Sequence, residues 1–258
     1  MWEKQLASAI KAGELAKRKI LEIYKTNFKV EIKKDKSPVT EADKQADKII
    51  FKYLHEAFPT YAFLTEESQD DLKRLENDYV WIIDPLDGTC NFVDKNDEFT
   101  INIALSYKHK IVVGVIIVPI KNEIYYATDH GGAFYSCKGS VREIHVSRNS
   151  SKIRALLSRS LHSKKEDSVF KKYGEKIISK NYVGAAIKSC LIARGDAELS
   201  LGLNDKTKEW DTAAPQILIK EAGGVFLEPN GTWLKYNRKD VTNRNGYVIS
   251  NKKRNIIL

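Results

Sequence analysis

The stretch Trp81-Ile82-Ile83-Asp84-Pro85-Leu86-Asp87-Gly88-Thr89 constrains this chain more than any other. Three large apolar residues in a row read as a strand buried in a sheet. Such a strand does not end in two nearby carboxylates unless something compensates their charge. Pro85 stiffens the turn and Gly88 permits backbone angles closed to other residues, so both carboxylates can reach the same side of the sheet end. Hard oxygen donors of this kind suit Mg²⁺. If a helical turn begins at Gly88 and Thr89, its free amides form an anion site beside the same carboxylates. The pattern also fits an Asp-rich turn followed by a helix cap, and the residues alone leave both readings open.

Other acidic residues sit at the ends of elements in the same way. Glu66 and Glu67 close the strand-like YAFLTEE, either as the polar start of a loop or as neighbours of the Asp84 strand that reach the same cluster. Thr40 with Asp43 three residues later approximates a helix capping box, and Asp47, one turn on, reads as solvated surface. Trp210-Asp211-Thr212-Ala213-Ala214-Pro215 opens a late helix, with Asp211 as a possible cap and Pro215 in or near the first turn. The five histidines show no metal spacing, and only His162, in SRSLHS, lies near a candidate substrate loop. No nucleophile elbow, P-loop or dinucleotide-binding glycine pattern is present.

Along the chain, an apolar stripe at Leu6, Ile10, Gly13, Ile20 and Tyr24 predicts a first helix, and Ala46, Ile49, Ile50, Tyr53, Leu54 and Ala57 a second after Thr40. FTINIALSY, IVVGVIIVPI and EIYYAT predict an antiparallel meander, continued by GGAFYS and REIHVS. Beyond residue 150 the pattern changes. Strand ALLSRS, a lysine-rich helix ending near Tyr173, helix GAAIKSCLIARG, strand AELSL, helix TAAPQILIKEAGG, then strands VFLE and GYVIS suggest a layered α/β half. We expect one domain over 1–258 with sub-halves 1–150 and 151–258.

Composition narrows the class. Hydrophobic residues at 42% allow a sizeable core, and no run is long enough to span a membrane. The charged first segment and three scattered cysteines predict a cytoplasmic protein without disulfides or a zinc site. The net charge of +9 fits nucleic-acid binding, but also the steering of a small polyanion. The lysines are spread out and the motifs are acidic, so no nucleic-acid partner is expected.

Taken together these stretches resemble the inositol monophosphatase superfamily of lithium-sensitive, magnesium-dependent phosphatases. WIIDPLDGTCNF looks like its first signature and EWDTAAPQILIKEAGG like its second, with PVTEAD, LTEES and GVIIVPIKNEIYYA in the expected order. The resemblance implies an αβαβα layered sandwich (an α/β, or α+β, fold) and hydrolysis of a phosphomonoester by water activated at two metals. Glu66, Asp84 and the Leu86 carbonyl would bind one Mg²⁺, and Asp84, Asp87 and Asp211 a second, with Asp43 reaching a weak third through water. Asp43, Glu66 and Thr89 would be catalytic, and Gly88 and Thr89 would hold the phosphate. Glu66, Leu86, Asp87, Asp211 and His162 would also face the substrate. WDTAAP, SRSLHS and GAAIKSCLIARGDAEL look closest to the 3′(2′),5′-bisphosphate nucleotidases, which convert adenosine 3′,5′-bisphosphate, a by-product of sulfate activation, to AMP. Two stretches depart from that branch: LSLGLNDKTKEWD lacks the Tyr-Pro-Arg that some bacterial nucleotidases place there, and its loop 203–209 differs in length; SRSLHS carries an extra Leu161 relative to the commoner SRSH. Hydrolysis of inositol 1-phosphate or another sugar phosphate is the alternative. The resemblance is compatible with a monomer or a homodimer.

Overall fold

Small residues at helical spacing give the first two helices a flat face. α1 (Glu3–Tyr24) buries Ala9, Ala12, Ala16 and Ile20, and α2 (Glu41–Ala57) buries Ala42, Ala46, Ile50 and Leu54. A computed structural model of the chain, describing residues 1–70 and 72–258, lays that face on a large sheet. A short hairpin, β1 (Val30–Ile32) and β2 (Pro38–Thr40), joins the two helices.

The sheet has seven strands in sequence order: β3 (Ala62–Thr65), β4 (Tyr79–Asp87), β5 (Thr100–Tyr107), β6 (Lys110–Val118), β7 (Glu123–Thr128), β8 (Gly132–Cys137) and β9 (Ser140–Glu143). Only β3 and β4 run parallel; the rest form the antiparallel meander read from the sequence. A short helix, α3 (Thr89–Val93), follows β4. After β9 come β10 (Ile153–Ser158), α4 (Lys164–Tyr173), β11 (Ile177–Val183), α5 (Ile187–Ala193), β12 (Leu199–Gly202), α6 (Glu209–Glu221), β13 (Val225–Leu227) and β14 (Tyr247–Ser250). Their strands make a second, five-stranded sheet in the order β11-β10-β12-β14-β13.

Strand alternation decides how these elements stack. On β4, Trp81 and Ile83 face α1 and α2, while Val80 and Ile82 face the core that includes Ala213, Ala214 and Ile217 of α6. On β10, Leu156 joins that same core, whereas Ile153, Ala155 and Leu157 pack against Val169 and Phe170 of α4. The layers therefore run α1α2, large sheet, α5α6, small sheet, α4, which is the αβαβα sandwich. Among the described residues, no helix is long and apolar enough to cross a membrane.

The structure corrects several local expectations. The β1–β2 hairpin and β11 were not anticipated. The last strand of the large sheet covers 140–143 rather than REIHVS. α6 starts at Glu209, so Pro215 lies inside the helix rather than in its first turn, and it is buried. Asp47 is not solvated surface: it is 7% exposed, because the turn after β3 folds over this part of α2.

Candidate active site

A regular strand points residues i and i+3 to opposite faces, so Asp84 and Asp87 need a break in β4 to act together. The break is a bulge. Asp84 pairs with Asn102 and Asp87 with Thr100, so Pro85 and Leu86 stand opposite the single residue Ile101. The extra residue restores the parity and brings both carboxylates to one side. Asp84 Oδ1 accepts the Leu86 amide at 3.0 Å, and Asp87 Oδ2 accepts Asn102 Nδ2 at 3.1 Å.

Asp211 arrives from the middle layer of the sandwich. It is the third residue of α6, and its Oδ2 accepts the Lys208 amide at 2.5 Å, which fixes the side chain at the helix start. One carboxylate oxygen each of Asp84, Asp87 and Asp211 lie within 4.8 Å of one another. Asp84 is buried and the other two are half-buried. Glu66 lines the same cavity, its amide donating to Ile83 O at 3.2 Å in continuation of the β3–β4 ladder. The cavity measures about 200 Å³ and lies between the two sheets.

Burial, then the neighbouring carboxylates Glu66, Asp87 and Asp211, push the Asp84 carboxyl well above its ordinary range. Asp211 is raised in the same way by burial, Asp87 and Glu66. Burial also raises Asp87, against Lys188 and Asn102, and raises Glu66, against Lys33. Among the described residues no lysine or arginine forms an ion pair with Asp84, Asp87 or Asp211 at 4.0 Å or less. A buried all-oxygen cluster lacking a paired cation is the chemistry that a hard divalent ion fits.

Behind Thr89, which lines the cavity, Asp43 receives three hydrogen bonds: from the Thr40 amide at 2.8 Å, the Thr40 hydroxyl at 2.7 Å and the Thr89 hydroxyl at 2.9 Å. The capping role and the catalytic candidacy thus coexist in one residue. Burial raises its carboxyl despite these donors. The Thr89 hydroxyl lies 3.2 Å from Leu86 O as well. Gly88 has φ +89°, and a Cβ there would meet Glu98 O at 3.1 Å and Ala185 Cβ at 3.2 Å.

His162 is placed differently from the expectation. Nδ1 lies 2.8 Å from Glu166 Oε2 and Nε2 2.8 Å from Asp167 Oδ1, so both ring nitrogens are engaged at the start of α4. His162 does not line the cavity, whereas its neighbour Leu161 does. Two lysines were missed. Lys33, on the hairpin turn, places its ammonium 2.8 Å from Glu66 Oε1 and 2.5 Å from Glu67 Oε1. Lys188 of α5 is buried in the cavity wall, 2.7 Å from Ala185 O, and burial lowers its pKa against the pull of Asp87 and Asp211. A lysine on the apolar run GAAIKSCLIA was the available signal for Lys188; the Lys33 contact depends on a hairpin that left no clear pattern.

The sequence model of the inositol monophosphatase family matches residues 1–256. An inositol monophosphatase of Dictyostelium discoideum is 34% identical over 238 residues, covering 89% of this chain and 86% of the relative. The 3′(2′),5′-bisphosphate nucleotidase CysQ of Buchnera aphidicola is 32% identical over 244 residues, covering 92% and 89%. The crystal structure of CysQ from Bacteroides thetaiotaomicron superposes with a TM-score of 0.84 at 31% identity, covering 97% of this chain and 98% of that one.

Proposed function

Because the chain belongs to the inositol monophosphatase family, whose members are metal-dependent phosphatases, we propose that it hydrolyses a nucleoside 3′,5′-bisphosphate to the nucleoside monophosphate and phosphate with Mg²⁺. The observation that carries this reading is the convergence of Asp84, Asp87 and Asp211, from two distant parts of the sequence, within 4.8 Å beside Glu66. Glu66, Asp84 and the Leu86 carbonyl would hold one Mg²⁺, and Asp84, Asp87 and Asp211 another, with a weaker third near Asp43. When bound, Mg²⁺ supplies positive charge to the phosphoryl and leaving oxygens and makes water a stronger nucleophile.

The remaining work falls to the chain's own groups. The amides of Gly88 and Thr89, at the start of α3, face the phosphoryl oxygens. The Thr89 hydroxyl donates to Asp43 Oδ1 at 2.9 Å, which leaves its oxygen free to accept a hydrogen bond from the attacking water. As the water attacks phosphorus, its proton passes to Thr89 Oγ1 while the Thr89 proton passes to Asp43; the bond from phosphorus to the ester oxygen breaks, and that oxygen takes a proton from solvent water. A carboxyl raised by burial is a stronger base than an exposed one, which suits Asp43 to this role. No covalent phosphoenzyme is needed.

The second phosphate of a bisphosphate needs a cation of its own. Lys188, buried in the cavity wall on the segment that resembles the nucleotidases, is suited to supply it. The rival substrate is inositol 1-phosphate, processed by the same groups. Turnover of adenosine 3′,5′-bisphosphate and inositol 1-phosphate is to be compared at equal Mg²⁺. The nucleotide is preferred by at least about tenfold in kcat/KM if Lys188 contributes a charge-assisted contact. Equal or reversed preference ends the nucleotidase reading.

A further inference from the structure

Asp47 is a buried carboxylate with one oxygen left without a partner. Asp47 follows Asp43 by one helical turn on the same face of α2 and is 7% exposed. Its Oδ2 accepts the Ser68 hydroxyl at 2.9 Å, and its Oδ1 has no hydrogen-bond partner. A carboxylate kept in the interior with one oxygen unused costs stability, so it is a poor choice for a purely structural position.

What Asp47 holds is the turn that carries Glu66. The Ser68 amide donates to Thr65 Oγ1 at 3.1 Å, closing the turn around Glu66 and Glu67. On its N-terminal side Glu66 is fixed to β4 through Ile83 O. On its C-terminal side Lys33 holds Glu67 at 2.5 Å from the hairpin, and the Ser68 hydroxyl on Asp47 ties the turn to α2. α2 therefore carries two carboxylates with separate tasks: Asp43 on the Thr89 hydroxyl, Asp47 on the Glu66 turn.

We propose that Asp47 is a positioning residue which, through Ser68, sets where Glu66 offers its carboxylate to a divalent cation. The inference rests on Glu66 being a metal ligand, as proposed above. Outer partners that orient metal ligands change affinity by about 10- to 100-fold, and a single neutral donor places Asp47 at the lower end.

The test is Mg²⁺ binding by titration calorimetry without substrate, with melting curves in EDTA alongside. Asp47→Ala and Ser68→Ala each weaken Mg²⁺ binding about tenfold. The double variant is no weaker than either single one, since both remove one interaction. Asp47→Asn keeps an acceptor for the Ser68 hydroxyl and binds within about twofold of the wild type. Ser68 is exposed, so its replacement leaves the fold intact and decides the matter even where Asp47→Ala does not fold. A purely structural role lowers the melting temperature of Asp47→Ala in EDTA and leaves Mg²⁺ affinity unchanged, which overturns the proposal. Wild-type affinity in Ser68→Ala, or losses that multiply in the double variant, overturn it too. Wild-type affinity in Glu66→Gln overturns the ligand assignment itself, and this inference with it.

Discussion

At the scale of single residues, the carboxylates of the candidate site are withdrawn from the water that would keep them charged. Burial and mutual repulsion raise Asp84, Asp87, Asp211 and Glu66, and burial pushes Glu67 up to about 7 against Lys33. A carboxyl raised in the folded state contributes stability that is complete below its unfolded pKa of about 4 and is lost as pH rises through the raised value. The metal-free protein should therefore melt at progressively lower temperature between about pH 5 and pH 8. Mg²⁺ displaces the protons, so its stabilising increment grows over the same interval. Melting curves in EDTA and in Mg²⁺ at several pH values check this, and an increment that shrinks with pH contradicts it. The Asp84–Thr89 turn stood out in the sequence because a buried apolar strand ending in two carboxylates needs something to offset their charge, though the residues alone also allowed an Asp-rich turn and helix cap. Asp47 was not, because its burial comes from a turn folded over the helix and not from the helix itself. His162, expected to face the substrate, has its ring held by Glu166 and Asp167 at the start of the next helix and does not line the cavity.

Among the elements, α6 does two jobs. Its first turn delivers Asp211, and its body packs between the sheets, close enough to β6 that Gly114 has no room for a side chain. A Cβ at Gly114 would lie 2.4 Å from Ile217 Cγ2 and 3.0 Å from Ala214 O. Gly114→Ala is expected to destabilise the protein by about 1–3 kcal/mol, read as a lower urea midpoint with an unchanged slope. A neutral substitution would mean that α6 does not press on β6 this closely. The meander and the main helices were readable because long runs such as IVVGVIIV and the alanine-rich stripes keep one period over many residues. The β1–β2 hairpin has only three exposed residues in its first strand, and β11, an edge strand, mixes lysine and asparagine into its exposed positions. Neither offers a period to read.

For the molecule as a whole, the change of pattern near residue 150 suggested two sub-halves of one domain, and the two share a layer. α5 and α6 belong to the second half by sequence, yet their core includes residues of both sheets. Beside the cavity, Glu98 accepts Arg159 at 2.7 and 2.8 Å and the Gly184 amide at 2.7 Å, tying the loop before β5 to the ends of the smaller sheet's strands. We propose that residues 1–258 unfold as one cooperative unit. Trp2 and Trp81 report on one half, Trp210 and Trp233 on the other. Tryptophan fluorescence and far-ultraviolet circular dichroism should then give coincident urea transitions, and two separated transitions would divide the chain. The shared middle layer was not legible beforehand except through the family resemblance, since it depends on contacts between residues more than a hundred positions apart.

The most direct measurement is phosphate release from adenosine 3′,5′-bisphosphate by the wild type and Asp211→Asn across a Mg²⁺ titration. The amide of Asp211→Asn keeps an acceptor for Lys208 but loses the charge, so the helix start survives while Mg²⁺ binding and turnover fall by at least about a hundredfold. Turnover that persists in EDTA, or that Asp211→Asn leaves at the wild-type level, would contradict a catalyst built from these converging carboxylates.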